Sequence, residues 1–249
     1  MVYKIISTCC GLLLYSHNLV AAQAQLPPDF VAFYKIENSF LTLGEAERRF
    51  KKQNDNTFTY TSLSKTSGVV AFFAKERLEE TTQFVIENAQ VQPLSYQYQR
   101  VGRKHQTVKQ TFNWQQQTVT SLIDDKAPIL YEIPQKTLDL NVYQFSLMYD
   151  LANGLRNMEY HLAEHKKLRS YPIRFIRNET IDSLFGPVET LVIERTYKKL
   201  RTTLWAAPRL FYLPVRIKHE EKGDKYTATL QRLTGMTLSD SKPAIENPH

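Results

Sequence analysis

The sequence predicts a mainly β protein: a curved antiparallel meander forming a barrel or half-barrel, with one covering helix. Three observations predict it. Apolar and aromatic residues alternate with a period of two along most of the chain, the mark of half-buried strands. Clusters of turn-forming residues separate these runs. One segment alone carries a longer stripe of helical spacing.

Taken in order, Phe30, Ala32, Tyr34 and Ile36 alternate, and Phe40, Thr42, Gly44 and Ala46 follow them. Small residues at Gly44 and Ala46 suit a bend or the close approach of a neighbouring strand. Phe58 and Tyr60 continue the pattern, then Thr82, Phe84 and Ile86, then Leu94, Tyr96 and Tyr98. Val108, Gln110, Phe112 and Trp114 form the next run. In the second half the runs are Met158 to Leu162, Tyr171 to Phe175, and Leu191, Ile193, Arg195 and Tyr197. Thr203 with Trp205, Val215 with Ile217, and Tyr226, Ala228 and Leu230 close the series. Asn54-Asp55-Asn56, Gly102, Asp124-Asp125, Gly186-Pro187 and Gly223-Asp224 are among the turn signals. Roughly a dozen strands in one meander must curl into a barrel or be covered. The helical stripe runs from Leu138 to Asn153 with Gly154 as terminator, and Gly68 to Lys75 reads as one further helical turn.

The N-terminus reads as an export signal. Lys4 is its positive end, and Ile5 to Tyr15 is an apolar run about half the roughly 20 residues of a membrane span. Ala22-Gln23-Ala24 offers the small residues of a cleavage site. The expected organisation is a cleavable signal over residues 1–24, one β-rich domain over 25–234 and a disordered polar tail over 235–249. The expected location is the periplasm of a Gram-negative envelope, with the protein soluble after cleavage near Ala24. Cys9 and Cys10 fall inside the signal, so the mature chain carries no cysteine. Thiol catalysis, thiolate metal sites and redox function are thereby excluded. No second apolar stretch approaches a membrane span.

The net charge of +7 favours anionic partners such as lipid head groups or acidic polysaccharide; in a periplasm nucleic acid is the poorest of these. Basic clusters recur at Arg48-Arg49, Arg100 to Lys104, Lys166 to Arg169 and Lys198 to Arg201. Alternate turns of a meander fall at the same end of the sheet, so some of these can converge into an anion-binding rim.

Catalytic patterns are weak. His161-Leu162-Ala163-Glu164-His165 fits the H-x-x-E-H of zinc peptidases, but the flanking alternation makes it a strand entering an exposed hairpin. Residues four apart on a strand lie about 13 Å apart, too far to share an ion. Ser62-Leu63-Ser64-Lys65 fits S-x-x-K without its companion K-T-G. The paired carboxylates Glu79-Glu80, Asp124-Asp125 and Glu220-Glu221 point to opposite faces of a strand. Asp139 and Gln144 are polar candidates at the start of the helix, where the plainer reading sets Asp139 against the helix dipole. No metal ligands and no cofactor are expected.

The segment Arg201-Thr-Thr-Leu-Trp-Ala-Ala-Pro208, followed by Tyr212 to Ile217, resembles the C-terminal signature of domain-of-unknown-function family 3108, an envelope family of bacteria. Leu43-Gly44-Glu45-Ala46, Glu79-Glu80-Thr81, Pro93-Leu94-Ser95-Tyr96 and Phe185-Gly186 match its upstream features in order, from about Phe30 to Leu233. The resemblance implies a location and a fold; it carries no activity with it. A looser pattern, Trp205, Pro208 and then Pro214-Val215-Arg216-Ile217, is similar to the close of half-barrel lipoprotein carriers of the LolA type. Those hold acyl chains in a concave sheet.

The leading expectation is a binding or carrier protein for an amphiphilic or anionic ligand such as a lipid. Trp205, Arg201, Arg216 and Tyr96 are the candidate ligand-binding residues. The alternatives are an assembly partner of another envelope protein and a hydrolase of envelope material. A cavity of several hundred Å3 favours the carrier; a filled barrel with an exposed apolar patch favours the partner.

Overall fold

A computed structural model describes residues 26–53 and 56–238. The predicted signal and residues 239–249 of the predicted tail lie outside the described residues. The N-terminal half forms β1 (Phe30–Glu37), β2 (Thr42–Lys52), β3 (Thr57–Thr66), a single helical turn α1 (Val70–Phe73), β4 (Arg77–Glu87), β5 (Gln90–Val101), β6 (Gln106–Asn113), β7 (Thr118–Ile123) and β8 (Ile129–Glu132). The C-terminal half forms β9 (Thr137–Leu138), α2 (Tyr143–Ala152), β10 (Asn157–Glu164), β11 (Lys167–Ser183), β12 (Gly186–Tyr197), β13 (Leu200–Ala207), β14 (Leu213–Glu221) and β15 (Asp224–Thr234).

All fifteen strands belong to one sheet, in the order β8 to β1, then β15 down to β9. Two meanders are therefore joined where β1 pairs antiparallel with β15, and the free edges β8 and β9 belong to the middle of the chain. Every pairing is antiparallel except that of β9 with β10. The sheet is not closed by a backbone ladder. Its two sides are tied instead by side chains reaching the tip of the β10–β11 hairpin. Tyr131 Oη and Gln110 Nε2 donate to the carbonyl of Glu164 at 2.7 and 3.2 Å, and Ser121 Oγ donates to that of His165 at 2.6 Å. A small cluster of Tyr96, Phe112, Val119, Ile133 and Ala163 packs at this seam.

The hairpin is therefore not the exposed element predicted from sequence. The ring of His165 lies 5.0 Å from that of Tyr98, and Glu164 receives Tyr171 Oη at 2.6 Å. Its metal-binding pattern nevertheless lies on a strand and the turn beyond it, as the alternation predicts.

The helix is shorter than the predicted Leu138–Asn153, because Leu138 is taken by β9 and Asp139 folds the chain into a turn. Asp139 Oδ1 accepts from the amides of Asn141 and Val142, both at 2.8 Å. Rather than covering an opening from outside, α2 sits within the curl of the sheet, with Phe145, Ser146, Leu147, Met148, Tyr149 and Leu151 all buried. A helix apolar nearly all round is one packed on every side. Phe145 stacks on Phe50 at 4.7 Å and meets Phe84 at 5.0 Å, and Phe30 and Phe58 pack against Phe50 in turn. This aromatic core fills one half of the barrel.

Two residues leave their predicted faces. Leu94 is the extra residue of a bulge, because Gln83 pairs with Ser95 while Phe84 pairs with Pro93; one inserted residue turns its side chain to solvent. Phe40 precedes β2 in a tight turn, where Asn38 Oδ1 accepts from the amides of Phe40 and Leu41. Gly44 does make the predicted close approach, since a Cβ there would collide with the carbonyl oxygen of Lys65. Met236 is buried beyond the end of β15, so the core extends past Gly235.

Candidate functional site

The half of the barrel not filled by aromatic rings holds a cavity of about 520 Å3. Period-two alternation builds its wall. On β2, Gly44, Ala46 and Arg48 share the inner face; on β13, Thr202 and Leu204; on β14, Ile217 and His219. Ile36, Leu43, Leu78, Leu204, Ile217 and Ala228 give an apolar lining. The first turn of α2 contributes Tyr143 and Gln144. Toward solvent the cavity reaches Lys65, Arg77 and Arg100.

Two guanidinium groups reach into this space beside the polar side chains of Ser64, Gln144, Thr202 and His219. Arg48 Nε donates to Gln144 Oε1 at 3.2 Å, and its Nη1 to the carbonyl of Glu47 at 3.0 Å. Arg195 lies between two rings, 5.1 Å from the centre of Tyr143 and 5.0 Å from that of Tyr171. Its Nη2 reaches Thr202 Oγ1 only at 3.5 Å, and its Nε is buried without a hydrogen-bond partner. Among the described residues neither arginine forms an ion pair with a carboxylate. A half-buried cation in that condition is a strong anion receptor, because the Coulomb attraction is little screened there.

His219 extends the polar patch. Its Nδ1 lies 3.1 Å from Thr202 Oγ1, and its ring stacks on Tyr226 at 4.7 Å. Burial, and then the charge of Arg195, hold its pKa below the ordinary value. Glu80 lies on the same wall as Arg48, two strands away through Ser62, and it accepts from Tyr96 Oη at 2.8 Å. Burial raises its pKa, against the opposing effects of Tyr96 and Arg48, so its charge is the costly one to keep. Glu76 at the rim is already engaged by Arg100 Nε at 2.9 Å.

Beneath the cavity floor lies a buried polar knot. Thr82 Oγ1 donates to Asp139 Oδ1 at 2.9 Å, Ser62 Oγ to Asn141 Oδ1 at 2.6 Å, and Asn141 Nδ2 to the carbonyl of Tyr60 at 2.8 Å. Asp139 Oδ2 is buried without a partner, and burial pushes its pKa up to about 7.

The ligand-binding residues predicted from sequence sit elsewhere. Arg201 is on the outer face of β13, 3.6 Å from Glu194 and 3.9 Å from Glu220. Trp205 points to the same side but is buried, with Arg216 5.7 Å from its ring and its Nε1 without a hydrogen-bond partner. Tyr96 is wholly buried in the seam cluster and touches the lumen only through Glu80. Gln144 does line the cavity, and Asp139 lies under it. Arg48 and Arg100, from two of the basic clusters expected to converge, do line the cavity; Arg195 is the residue that sequence reasoning missed, although it interrupts an apolar face with a charge at an inward position. His161 pairs with Ser170 and His219 with Thr202. No group of three or more metal-ligating side chains occurs among the described residues, and no helix there is long and apolar enough to cross a membrane.

Over residues 29–231 the sequence matches the family described as "Protein of unknown function (DUF3108)". The chain belongs to this family. No curated protein matches it. Among solved structures, a beta-barrel-like protein of the domain of unknown function DUF1849 from Brucella abortus is similar, with a TM-score of 0.57 and 7% identity. The similarity covers 83% of this DUF3108 chain and 97% of the Brucella chain. At that identity the likeness is one of fold, a β-barrel-like sheet, and the cavity chemistry is argued from this chain's own residues.

Proposed function

We propose that this DUF3108 protein is a binding or carrier protein for an anionic amphiphile, working in the periplasm after loss of its N-terminal signal. The observation that carries the reading is the pair Arg48 and Arg195, two cations without an ion-paired carboxylate among the described residues, inside a cavity whose wall also carries the aliphatic side chains Ile36, Leu43, Leu78, Leu204 and Ile217. An acidic head group fits between Arg48, Arg195 and His219, and an acyl or similar chain along Ile36, Leu78, Leu204 and Ile217. A volume of about 520 Å3 falls within the roughly 300–1,000 Å3 of small-molecule sites. The signal-like N-terminus supports the location.

The test is fluorescence titration of the purified protein with a dansyl-labelled fatty acid, beside its uncharged methyl ester. The acid is expected to bind with a blue-shifted emission and the ester at least about tenfold more weakly, the loss of one charge-assisted contact. Equal binding of acid and ester would remove the arginines from the account. No binding of either would remove the cavity.

A further inference from the structure

We infer that the end of the barrel where the cavity opens is a docking surface for an anionic lipid membrane. It is formed by the β1–β2 and β3–β4 connections and the basic turns around them. The inference stands on the surface of the molecule and does not require the cavity to hold a ligand.

The meander places the β1–β2, β3–β4, β5–β6, β7–β8, β10–β11, β12–β13 and β14–β15 connections at one end of the sheet. On two neighbouring ones, large apolar side chains stand in solvent: Phe40 is 89% exposed and Phe72 88%, with Leu41 and Val69 beside them at 46% and 53%. Single exposed apolar residues are ordinary, but two aromatic tips on adjacent connections are not. The connections are neighbours because Ser67 N donates to the carbonyl of Leu43 at 3.2 Å.

Both tips are held outward by their own hydrogen bonds. Asn38 Oδ1 takes the amides of Phe40 and Leu41. In the other connection Thr66 Oγ1 donates to the carbonyl of Ala74 at 2.7 Å and accepts from Glu76 N at 3.1 Å. The chain thus fixes these rings in water instead of folding them back, which disfavours the free protein and favours a state in which they are covered.

Charge selects what covers them. The other connections at this end carry exposed Lys104, Lys126, Lys166, Lys198, Lys199 and Lys222. The acids there are fewer. Glu76 is paired with Arg100 at 2.9 Å; Asp124 and Asp125 stand in the β7–β8 connection, and the β14–β15 turn adds exposed Glu221, 3.9 Å from Lys222, and Asp224. The core of a protein interface is depleted in lysine. Protruding apolar tips within a ring of flexible lysines suit a bilayer instead, in which the rings enter the head-group region and the ammonium groups meet anionic lipid. Docked this way, the mouth at Lys65, Arg77 and Arg100 faces the membrane.

The experiment is vesicle flotation of the protein with phosphatidylcholine alone and with phosphatidylcholine plus phosphatidylglycerol. The protein is expected to float only with the anionic vesicles, less at high salt, and at least about tenfold less in the F40S/F72S variant. Both side chains are exposed, so that variant is expected to melt with the parent and to bind the fatty-acid probe as the parent does, which separates this inference from the cavity reading. Failure to float with anionic vesicles overturns the inference. So does flotation unchanged in F40S/F72S, which would reduce the surface to a general attraction of charge. A protein captured through Phe40 and Phe72 without vesicle binding would replace the membrane with that partner.

Discussion

Arg48 of β2 donates through Nε to Gln144 Oε1 of α2 at 3.2 Å, tying the wall of the cavity to the first turn of the helix that floors it. The amide can bind one edge of the guanidinium but cannot neutralise it. Arg195 across the lumen is in the same condition. Both therefore lower stability relative to neutral residues unless an anion arrives. R48Q and R195Q are each expected to weaken an acidic amphiphile at least about tenfold, while thermal melting stays level or rises. Residues kept for structure would lower binding and melting temperature together.

His219 ties affinity to pH. In the free protein burial and Arg195 keep its pKa low, so the ring is neutral at pH 7. Arg195 and Glu221 are the charges acting on it, and a head group that neutralises Arg195 lifts its pKa. Binding is therefore expected to take up protons and to strengthen as pH falls below neutrality. Calorimetry in two buffers of different ionisation enthalpy measures the uptake. Loss of the pH dependence in H219N assigns it to this ring.

Asp139 acts on stability, with a definite sign. Its folded-state pKa of about 7 lies above the ordinary value of 3.8, so between those values the native state binds more protons than the unfolded chain. Its stabilising contribution is fullest below pH 3.8 and is lost as pH rises through about 7. His219 works in the opposite direction, losing stability as pH falls, so each is read as a difference between variant and parent. Urea denaturation at pH 5 and pH 8 is expected to show a smaller pH effect in D139N. D139A is expected to cost about 2–4 kcal/mol, since it leaves Thr82 and two turn amides without their acceptor.

Phe145 carries the packing of α2 onto the aromatic core, stacked 4.7 Å from Phe50. F145A is expected to destabilise the protein by about 3–5 kcal/mol and to admit bulkier probes, measured by urea denaturation beside probe titration. An unchanged midpoint would mean that the helix is not anchored there.

The strands are legible in the sequence because one face of a curled sheet is buried, and burial imposes alternation. Phe30 to Ile36 and Leu191 to Tyr197 show it directly. The exceptions are local. Leu94 is displaced by a bulge, and Phe40 is held in a turn by Asn38; neither device alters composition enough to be read from it. The pairing of β1 with β15 joins the two ends of the domain, a long-range contact without local signature. The site was half legible for the same reason. Arg48 follows Gly44 and Ala46 on the inner face, and Arg195 stands between Ile193 and Tyr197, so each announces a charge inside the barrel. That they face one lumen depends on the order of the strands. Arg201 and Trp205 stood out as residue types, but alternation with Thr202 and Leu204 turns both away from the lumen, Arg201 to solvent and Trp205 into the core.

The most direct test of the central claim is native mass spectrometry of protein purified without detergent, with organic extraction of whatever accompanies it. A stoichiometric acidic amphiphile is expected with the parent protein and is expected to be lost in the R48Q/R195Q variant. A bare protein mass that takes up no lipid or fatty acid on incubation would contradict that claim.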